Sequence, residues 1–323
     1  MIEVLLVGLF SSLIITFIIM PKIISIMKKK GMTGIDKNKI NKPIIAEMGG
    51  LGVVIGCFSG IYIILILMKF WTHESLESSK IFLSSLFTML GAALIGVLDD
   101  IFNLRQKVKA ILPAFFAFPL SYYMIDETIT LPIVGSIHFG LLMIIIIPFM
   151  ITSAANSMNM LDGFNGLGAG LGIIMGVTLI SLFLITGNLQ GGIFIFPLIG
   201  SLAAFLYFNF YPAKIFPGDT LTLFVGTSLA IGAINGLVKE IALLLFLPMI
   251  IEFFMKSRGL FQARNQGIPQ KNGLIFYYNR SESLTHIVMK NVKVTEKKIV
   301  GIFWGIEVLL CISVISLTVV KIL

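Results

Sequence analysis

The stretch IFLSSLFTMLGAALIGVLDDIFNLRQKVK, residues 81–109, decides what kind of chain this is. From Ile81 to Leu98 it holds neither a charge nor a proline. A spanning helix needs about 20 mostly apolar residues, with a working range near 17–25, because the hydrocarbon core it crosses is about 30 Å thick. The run closes on adjacent carboxylates, Asp99 and Asp100, followed by Arg105, Lys107 and Lys109. Two like charges side by side raise the proton affinity of at least one of them unless a cation compensates. A plain helix end facing its basic loop would need one carboxylate, not a pair at the edge of the apolar run.

Nine further runs read the same way, near 4–22, 49–69, 110–125, 139–155, 167–186, 192–210, 220–238, 241–256 and 299–320. Breaks carry charge, Pro or Gly: Lys28-Lys29-Lys30-Gly31, Thr72-His73-Glu74, Asp126-Glu127, Gly187-Asn188 and Pro212. The chain of 323 residues is 57% hydrophobic and 12% charged, whereas roughly a quarter of residues are charged in soluble domains. Its mean hydropathy is +1.00. A soluble fold of this length cannot hide so much apolar surface. Secreted globular, disordered and cytosolic α/β classes are excluded. The expected fold is all-α: a polytopic integral membrane protein of about ten transmembrane helices. It forms one membrane-embedded domain over 1–323, with a cytoplasmic loop at 256–298.

Orientation follows from Lys and Arg in the short loops. Twenty of the 24 basic residues fall in alternate loops, starting with the one after the first run. Those loops face the cytoplasm, and both termini face out. The run from Val4 to Met20 is followed, not preceded, by lysines, so it is expected to stay as the first membrane helix rather than a cleaved signal. The net charge of +8 is thus a topology signal, and no nucleic-acid partner is expected. Cys57 and Cys311 lie inside apolar runs and read as small hydrophobes. His73, His138 and His286 are not spaced as a metal pair and receive no catalytic role.

The acids carry more information. Asp36, Glu47, Asp99, Asp100, Asp162 and Asp219 all lie in or beside the cytoplasmic loops, and ionisable residues near membrane depth are functional candidates by default. In NSMNMLDGFNGLGAGLG, residues 156–172, Asn156, Asn159 and Asp162 recur every three residues and share a helix face. Their oxygens suit a hard cation such as Mg²⁺, with Mn²⁺ as the alternative. An amide-capped helix end is the blander alternative. The glycines from Gly166 to Gly176 follow no strand and precede no Gly-Lys-Ser/Thr, so close helix packing accounts for them better than a phosphate loop. In YPAKIFPGDTLTLFVG, residues 211–226, Asp219 and Thr220 sit where a cap would open a helix, and beside the other acids Asp219 becomes a candidate second cation ligand. The loop RGLFQARNQGIPQKNG, residues 258–273, is polar and basic, fit either for a nucleotide diphosphate or for anionic headgroups.

Taken together, in this order and over nearly the whole chain, the four motifs resemble the polyprenyl-phosphate N-acetylhexosamine-1-phosphate transferases of glycosyltransferase family 4. The resemblance is closest to the branch that uses UDP-N-acetylglucosamine (UDP-GlcNAc) and dolichyl phosphate. It implies ten membrane helices. It also implies transfer of GlcNAc-1-phosphate to a polyprenyl phosphate at the cytoplasmic face of the cell membrane, with release of UMP. Carried across, Asp99 and Asp100 match the paired catalytic aspartates, and Asn159 and Asp219 match Mg²⁺ ligands. Asp162 follows the bacterial pattern and joins the catalytic set. Lys109, with Asn156 and Asn159, matches the lipid-phosphate site. Asn165 matches a uridine contact, and GIDKNK with AEMGG nominates Ile35, Asp36, Lys37 and Glu47 for the nucleotide. In the ninth loop, bacterial members carry His and the eukaryotic enzyme Arg-His-Arg. Here the stretch reads Arg264-Asn265-Gln266-Gly267-Ile268-Pro269, and together with the bacterial-type Asp162 the mixture resembles archaeal members; Arg264, Asn265, Gln266 and Gly267 are the candidate donor contacts. Another UDP-HexNAc or UDP-MurNAc-pentapeptide as donor stays open, and so does a homodimer. The rival class, a transporter of an anionic solute, predicts midplane charges and internal repeats. A bare scaffold leaves the polar clusters without a purpose.

Overall fold

The computed structural model describes residues 1–72, 80–125, 127–131, 135–277 and 279–322. His73, Glu74 and Asp126, three of the expected break residues, lie outside the described residues. Helices meet every apolar run: α1 Ile2–Lys29, α2 Gly50–Leu67, α3 Lys80–Phe102, α4 Gln106–Tyr122, α5 Met143–Leu161, α6 Leu167–Thr186, α7 Gly192–Asn209 and α8 Gly218–Asn235. The ninth run is broken into α9 Lys239–Ala242, a tight turn at Leu243–Phe246 and α10 Leu247–Ser257. After a short α11, Leu284–Asn291, the chain ends in α12, Glu296–Ile322. Pro248, at the head of α10, explains the break: a proline fits a first helical turn but not a helix interior.

Among the described residues, seven helices are long and apolar enough to cross a bilayer: α1, α2, α3, α5, α6, α7 and α12. Of the helices in the three remaining apolar runs, α8 is informative. Every residue from Thr220 to Ile234 is buried, and α8 packs against α2, α3, α5, α6 and α7. Its surroundings are protein, so it can carry Thr220, Thr222, Thr227 and Ser228 at no exposure to lipid. By contrast, α1 turns Leu6, Phe10, Ile14 and Phe17 outward. Its opposite stripe of Gly8, Ser12 and Thr16 meets Gly56, Gly60 and Gly200 of α2 and α7. Small residues let backbones approach where the solvent is as apolar as the side chains and burial alone drives nothing.

The chain is mostly helical, as expected, and among the described residues three small antiparallel sheets fold within the loops. They pair β1 Thr33–Ile35 with β2 Ile44–Ala46, β3 Thr128–Leu131 with β4 Gly135–His138, and β6 Leu274–Phe276 centrally with both β5 Ile268–Pro269 and β7 Val294–Thr295. Loops that must hold a fixed position satisfy their backbone groups in this way. The β1–β2 hairpin is further zipped to the segment before α8 by Phe216 N–H to Ala46 O (2.7 Å), Gly49 N–H to Phe216 O (2.9 Å) and Gly50 N–H to Pro217 O (2.8 Å). The C-terminal ends of α3 and α5 meet the N-terminal ends of α4, α8 and α12 at one face, through contacts described below. Both chain termini lie at the opposite end, since α1 runs towards that face and α12 away from it.

Candidate active site

The first turn of α8 is the centre of the site, and three neighbours fix it. Gly50 of α2 and Gly96 of α3 both lie directly on the backbone at Thr220, where a Cβ would collide. Asp100 then accepts from Asp219 N–H (2.7 Å), Thr220 N–H (3.1 Å) and Thr220 Oγ1–H (2.6 Å). These are the orphan donors of a helix N-terminus, and a carboxylate supplied from another helix caps them. Gly218 opens the helix at φ +70°, a conformation L side chains avoid, with its missing Cβ facing the Asp100 carboxylate.

Asp100 is therefore spent on α8, and Asp99 is not. Lys109, at the head of α4, bonds Asp99 Oδ2 at 2.9 Å and Asp219 Oδ2 at 2.5 Å. Asp99 Oδ1 is buried without a hydrogen-bond partner among the described residues. Asn159, from the last turns of α5, donates to Thr222 Oγ1 at 2.8 Å and lies within hydrogen-bonding reach of the Asp219 carboxylate. Asp162, just past α5, accepts from Gly168 N–H at 3.0 Å. Burial pushes the Asp162 carboxyl up to about 7, against the pull of that N–H and with the negative charge of Asp219 adding to the rise. Burial and Asp219 also raise Glu47. Two carboxylates converging on one ammonium, with two more acids feeling their charge, form a site short of positive charge.

That donor set fits Mg²⁺. Among the described residues no three acidic, imidazole or thiol side chains form a ready-made cage. Mg²⁺ asks for little more than one or two carboxylates, because water and phosphate oxygens complete its octahedron. Asp219, Asp99 with its unpartnered oxygen, and Asn159 supply such a partial set.

A cavity of about 2220 Å³ opens beside this cluster, larger than the roughly 300–1,000 Å³ of an ordinary small-molecule pocket. Its polar end is lined by Lys37, Glu47, Lys109, Asn159, Asp162 and Arg264, with Asn156, Asn265 and Gln266 also on its wall. From there it runs between α4, α5 and α10 past Phe115, Ile145, Phe149 and Phe254 to Lys239 near the other face. Lys239 is buried there and paired with Glu127 at 3.4 Å. The groove follows all of α5, 19 residues, or about 28 Å at 1.5 Å per residue.

The remaining expected residues brace the site. Asp36 and Asn165 bond each other (3.0 Å) in a buried network: Lys39 bonds Asp36, and Glu296 accepts from Asn165 N–H (3.0 Å) and lies 3.4 Å from Lys39. Asn38 Nδ2 donates to Gly163 O at 3.1 Å, so the first loop, the turn after α5 and the head of α12 are linked by hydrogen bonds. Asn156 Nδ2 donates to Ala110 O (3.2 Å) and Thr152 O (2.9 Å), tying α5 to α4. Asn265 Nδ2 donates to Met160 O (2.8 Å) and Leu161 O (2.9 Å), closing the carbonyl end of α5. Gly267 packs on Ile275 and Met289, and Ile35 is exposed on β1. The glycines Gly170, Gly172 and Gly176 meet Trp304, Val225 and Ile199, the packing role expected for them. Sequence reading passed over Thr222, Lys39, Glu296 and the pair Lys256–Glu252, whose Lys256 donates to Met160 O at 2.5 Å. For Thr222 a signal existed: it stands three residues after Asp219 on the same helical face.

A match to the family described as Glycosyl transferase family 4 covers residues 82–237. The chain is 38% identical to a protein of Sulfolobus acidocaldarius provisionally named a UDP-N-acetylglucosamine–dolichyl-phosphate N-acetylglucosaminephosphotransferase, covering 95% of both chains. It is 37% identical to a protein of Saccharolobus solfataricus under the same provisional name, over 95% of this chain and 94% of the other. The Schizosaccharomyces pombe UDP-N-acetylglucosamine–dolichyl-phosphate N-acetylglucosaminephosphotransferase is 27% identical over 80% of this chain and 68% of its own. Similarity of this extent, over helices that build one acidic site at their ends, makes the chain a member of glycosyl transferase family 4, the polyprenyl-phosphate N-acetylhexosamine-1-phosphate transferases.

Proposed function

We propose that the protein transfers GlcNAc-1-phosphate from UDP-GlcNAc to a polyprenyl phosphate of the dolichyl type, releasing UMP and starting lipid-linked glycan assembly for protein glycosylation or a cell-surface polymer. The observation that carries this reading is one cavity with two chemistries: a charged end at Lys109 and Asp162 and an apolar groove the length of α5. A long isoprenoid on a phosphate needs that combination, and the names of the relatives point to the same pair of substrates. The site would face the cytoplasm, because Lys28, Lys29, Lys30, Lys107 and Arg264 cluster at its end. The chain would then sit in the cell membrane with ten crossings, α4, α8 and the broken α9–α10 completing the seven long apolar helices.

In the reaction, an oxygen of the lipid phosphate forms a bond to the β-phosphorus of UDP-GlcNAc. The bond from that phosphorus to the bridging oxygen breaks, and the oxygen leaves on UMP. Asp219, Asn159 and Asp99 would hold Mg²⁺, which when bound neutralises charge on the pyrophosphate and the departing UMP. Lys109 holds the acceptor phosphate at the head of α4. Arg264 and Lys37 meet the donor's phosphates from opposite loops, since guanidinium and ammonium groups grip phosphate well. The second pKa of a phosphate monoester is about 6, so little base is needed. Asp162, with Oδ1 on Gly168 N–H, keeps Oδ2 for a remaining acceptor proton. Asp36 and Asn165 hold the floor beneath the nucleotide. Most of the rate then comes from positioning and charge stabilisation.

Purified protein with UDP-GlcNAc, a polyprenyl phosphate and Mg²⁺ is expected to release UMP, and Asp219→Ala to abolish release in a folded protein. Full activity in that variant would overturn the metal assignment. A donor panel separates UDP-GlcNAc from other UDP-HexNAc donors and from UDP-MurNAc-pentapeptide. A transporter would need a polar path through the membrane. Glu307, buried midway along α12 with neither carboxyl oxygen hydrogen-bonded, is an intramembrane acid, yet it does not line the cavity. Solute uptake without UMP formation would favour the transporter.

A further inference from the structure

Arg264 reaches the cavity from a loop that, among the described residues between Ser257 and Leu284, builds no helix of its own. Two adjacent side chains of α11 hold that loop by its backbone. His286 is 0% exposed, and both ring nitrogens are used. Nδ1 accepts from Glu282 N–H at 3.2 Å, so Nε2 carries the proton and donates to Arg264 O at 2.7 Å. The ring lies flat on Tyr277, centroids 3.5 Å apart and planes 6° from parallel. One residue earlier, Thr285 Oγ1 donates to Asn265 O at 2.9 Å. Asn265 in turn caps the last carbonyls of α5. An unbroken chain of bonds thus runs from α11 through the Arg264–Asn265 backbone to the helix that carries Asn159.

We propose that His286 is a positioning residue for the donor site: its neutral ring bridges the Arg264 carbonyl and the Glu282 N–H, holding the Arg264 side chain over the cavity, and protonation breaks the Glu282 half of that clamp. The proposal rests on Arg264 as a donor-phosphate contact. Protonated, Nδ1 would point an N–H at the N–H of Glu282, and one tether of the loop would be lost. The charged groups around the ring are Glu282 on the preceding loop, Lys290 on α11 itself and Lys256 on α10, the last paired with Glu252 at 3.5 Å; Tyr277 covers its face. Burial holds the imidazole below its ordinary value of 6.5, Lys256 and Lys290 add to that, and the Arg264 carbonyl and Glu282 oppose it. Because the folded value is depressed, the clamp is complete above pH 6.5 and its Glu282 half is lost as pH falls below 6.5 through the lowered value.

The test is amide hydrogen exchange across 258–273 in the full-length protein without substrates, at pH 7.5 and at pH 5.5 after correction for intrinsic exchange, alongside KM and kcat for each substrate. In His286→Ala, exchange in the loop and KM for UDP-GlcNAc are each expected to rise about tenfold, the size of one lost hydrogen bond to a buried partner. KM for the polyprenyl phosphate stays as in wild type. His286→Gln, which can still donate to the Arg264 carbonyl, is expected to restore most of the protection and to flatten its pH dependence. Should His286→Ala fail to fold, Thr285→Val removes the second tether and is expected to loosen the same loop. Wild-type protection of 258–273 in His286→Ala overturns the clamp. Loosening of the loop without any change in KM for UDP-GlcNAc leaves the clamp standing and overturns the donor role of Arg264.

Discussion

Asp99 and Asp100 are neighbours in sequence and point roughly 100° apart around α3, which gives them different tasks. Asp100→Ala removes the cap of α8, a loss of about 0.5–2 kcal/mol for a helix N-cap. It is expected to lower the melting temperature in detergent and, by freeing the first turn of α8, to lower activity with it. Asp99→Ala is expected to leave melting within a degree or two and to lower UMP release by two orders of magnitude or more, since it removes a partner of Lys109 and a proposed metal ligand beside the cavity. A melting scan beside an activity assay separates the two. Equal melting losses in both variants would contradict the division of labour.

At the scale of elements, helix contacts without a hydrophobic drive depend on where small residues fall. Gly96 meets the Thr220 backbone, whereas Gly301 on α12 has nothing within 4 Å of its missing Cβ. Gly96→Val is expected to cost about 1–3 kcal/mol, the usual range for overpacking, and to displace Asp219 with it. Gly301→Val is expected to leave the melting temperature and UMP release unchanged. The sequence marks both as glycines in apolar runs and cannot rank them, because the difference lies in the opposing helix. The break in the ninth run was similarly hidden: apolarity continues across 241–256, and only Pro248 signals the change.

For the molecule as a whole, the proposed function puts the acceptor's tail in the groove between α4, α5 and α10. Ala114 and Ile145 lie on its apolar wall. Ala114→Trp is expected to raise KM for a long polyprenyl phosphate about tenfold, with little change for UDP-GlcNAc or for a short-chain acceptor. An unchanged preference for chain length would remove the groove from the reaction. Closure of the polar end depends on loops far apart in sequence, since Asp36, Asn165 and Glu296 share one network and Arg264 is held by His286.

What the sequence determined by itself is the set of helices, the crowding of basic residues at one end and the acids to suspect. Hydropathy and charge are local properties, and a bilayer acts on them residue by residue. Asn159, Asp162 and Asp219 could be nominated because spacing places them at helix ends. Tertiary structure alone decided which acid faces which partner: Asp100 on the head of α8, Asp99 on Lys109, Asp36 on Asn165. It also turned His286, read as an idle histidine on an apolar stretch, into the anchor of a loop 22 residues away. A helical period tells a side chain which way to point. The partner it finds there depends on how the helices cross, and that is fixed by packing over the whole molecule.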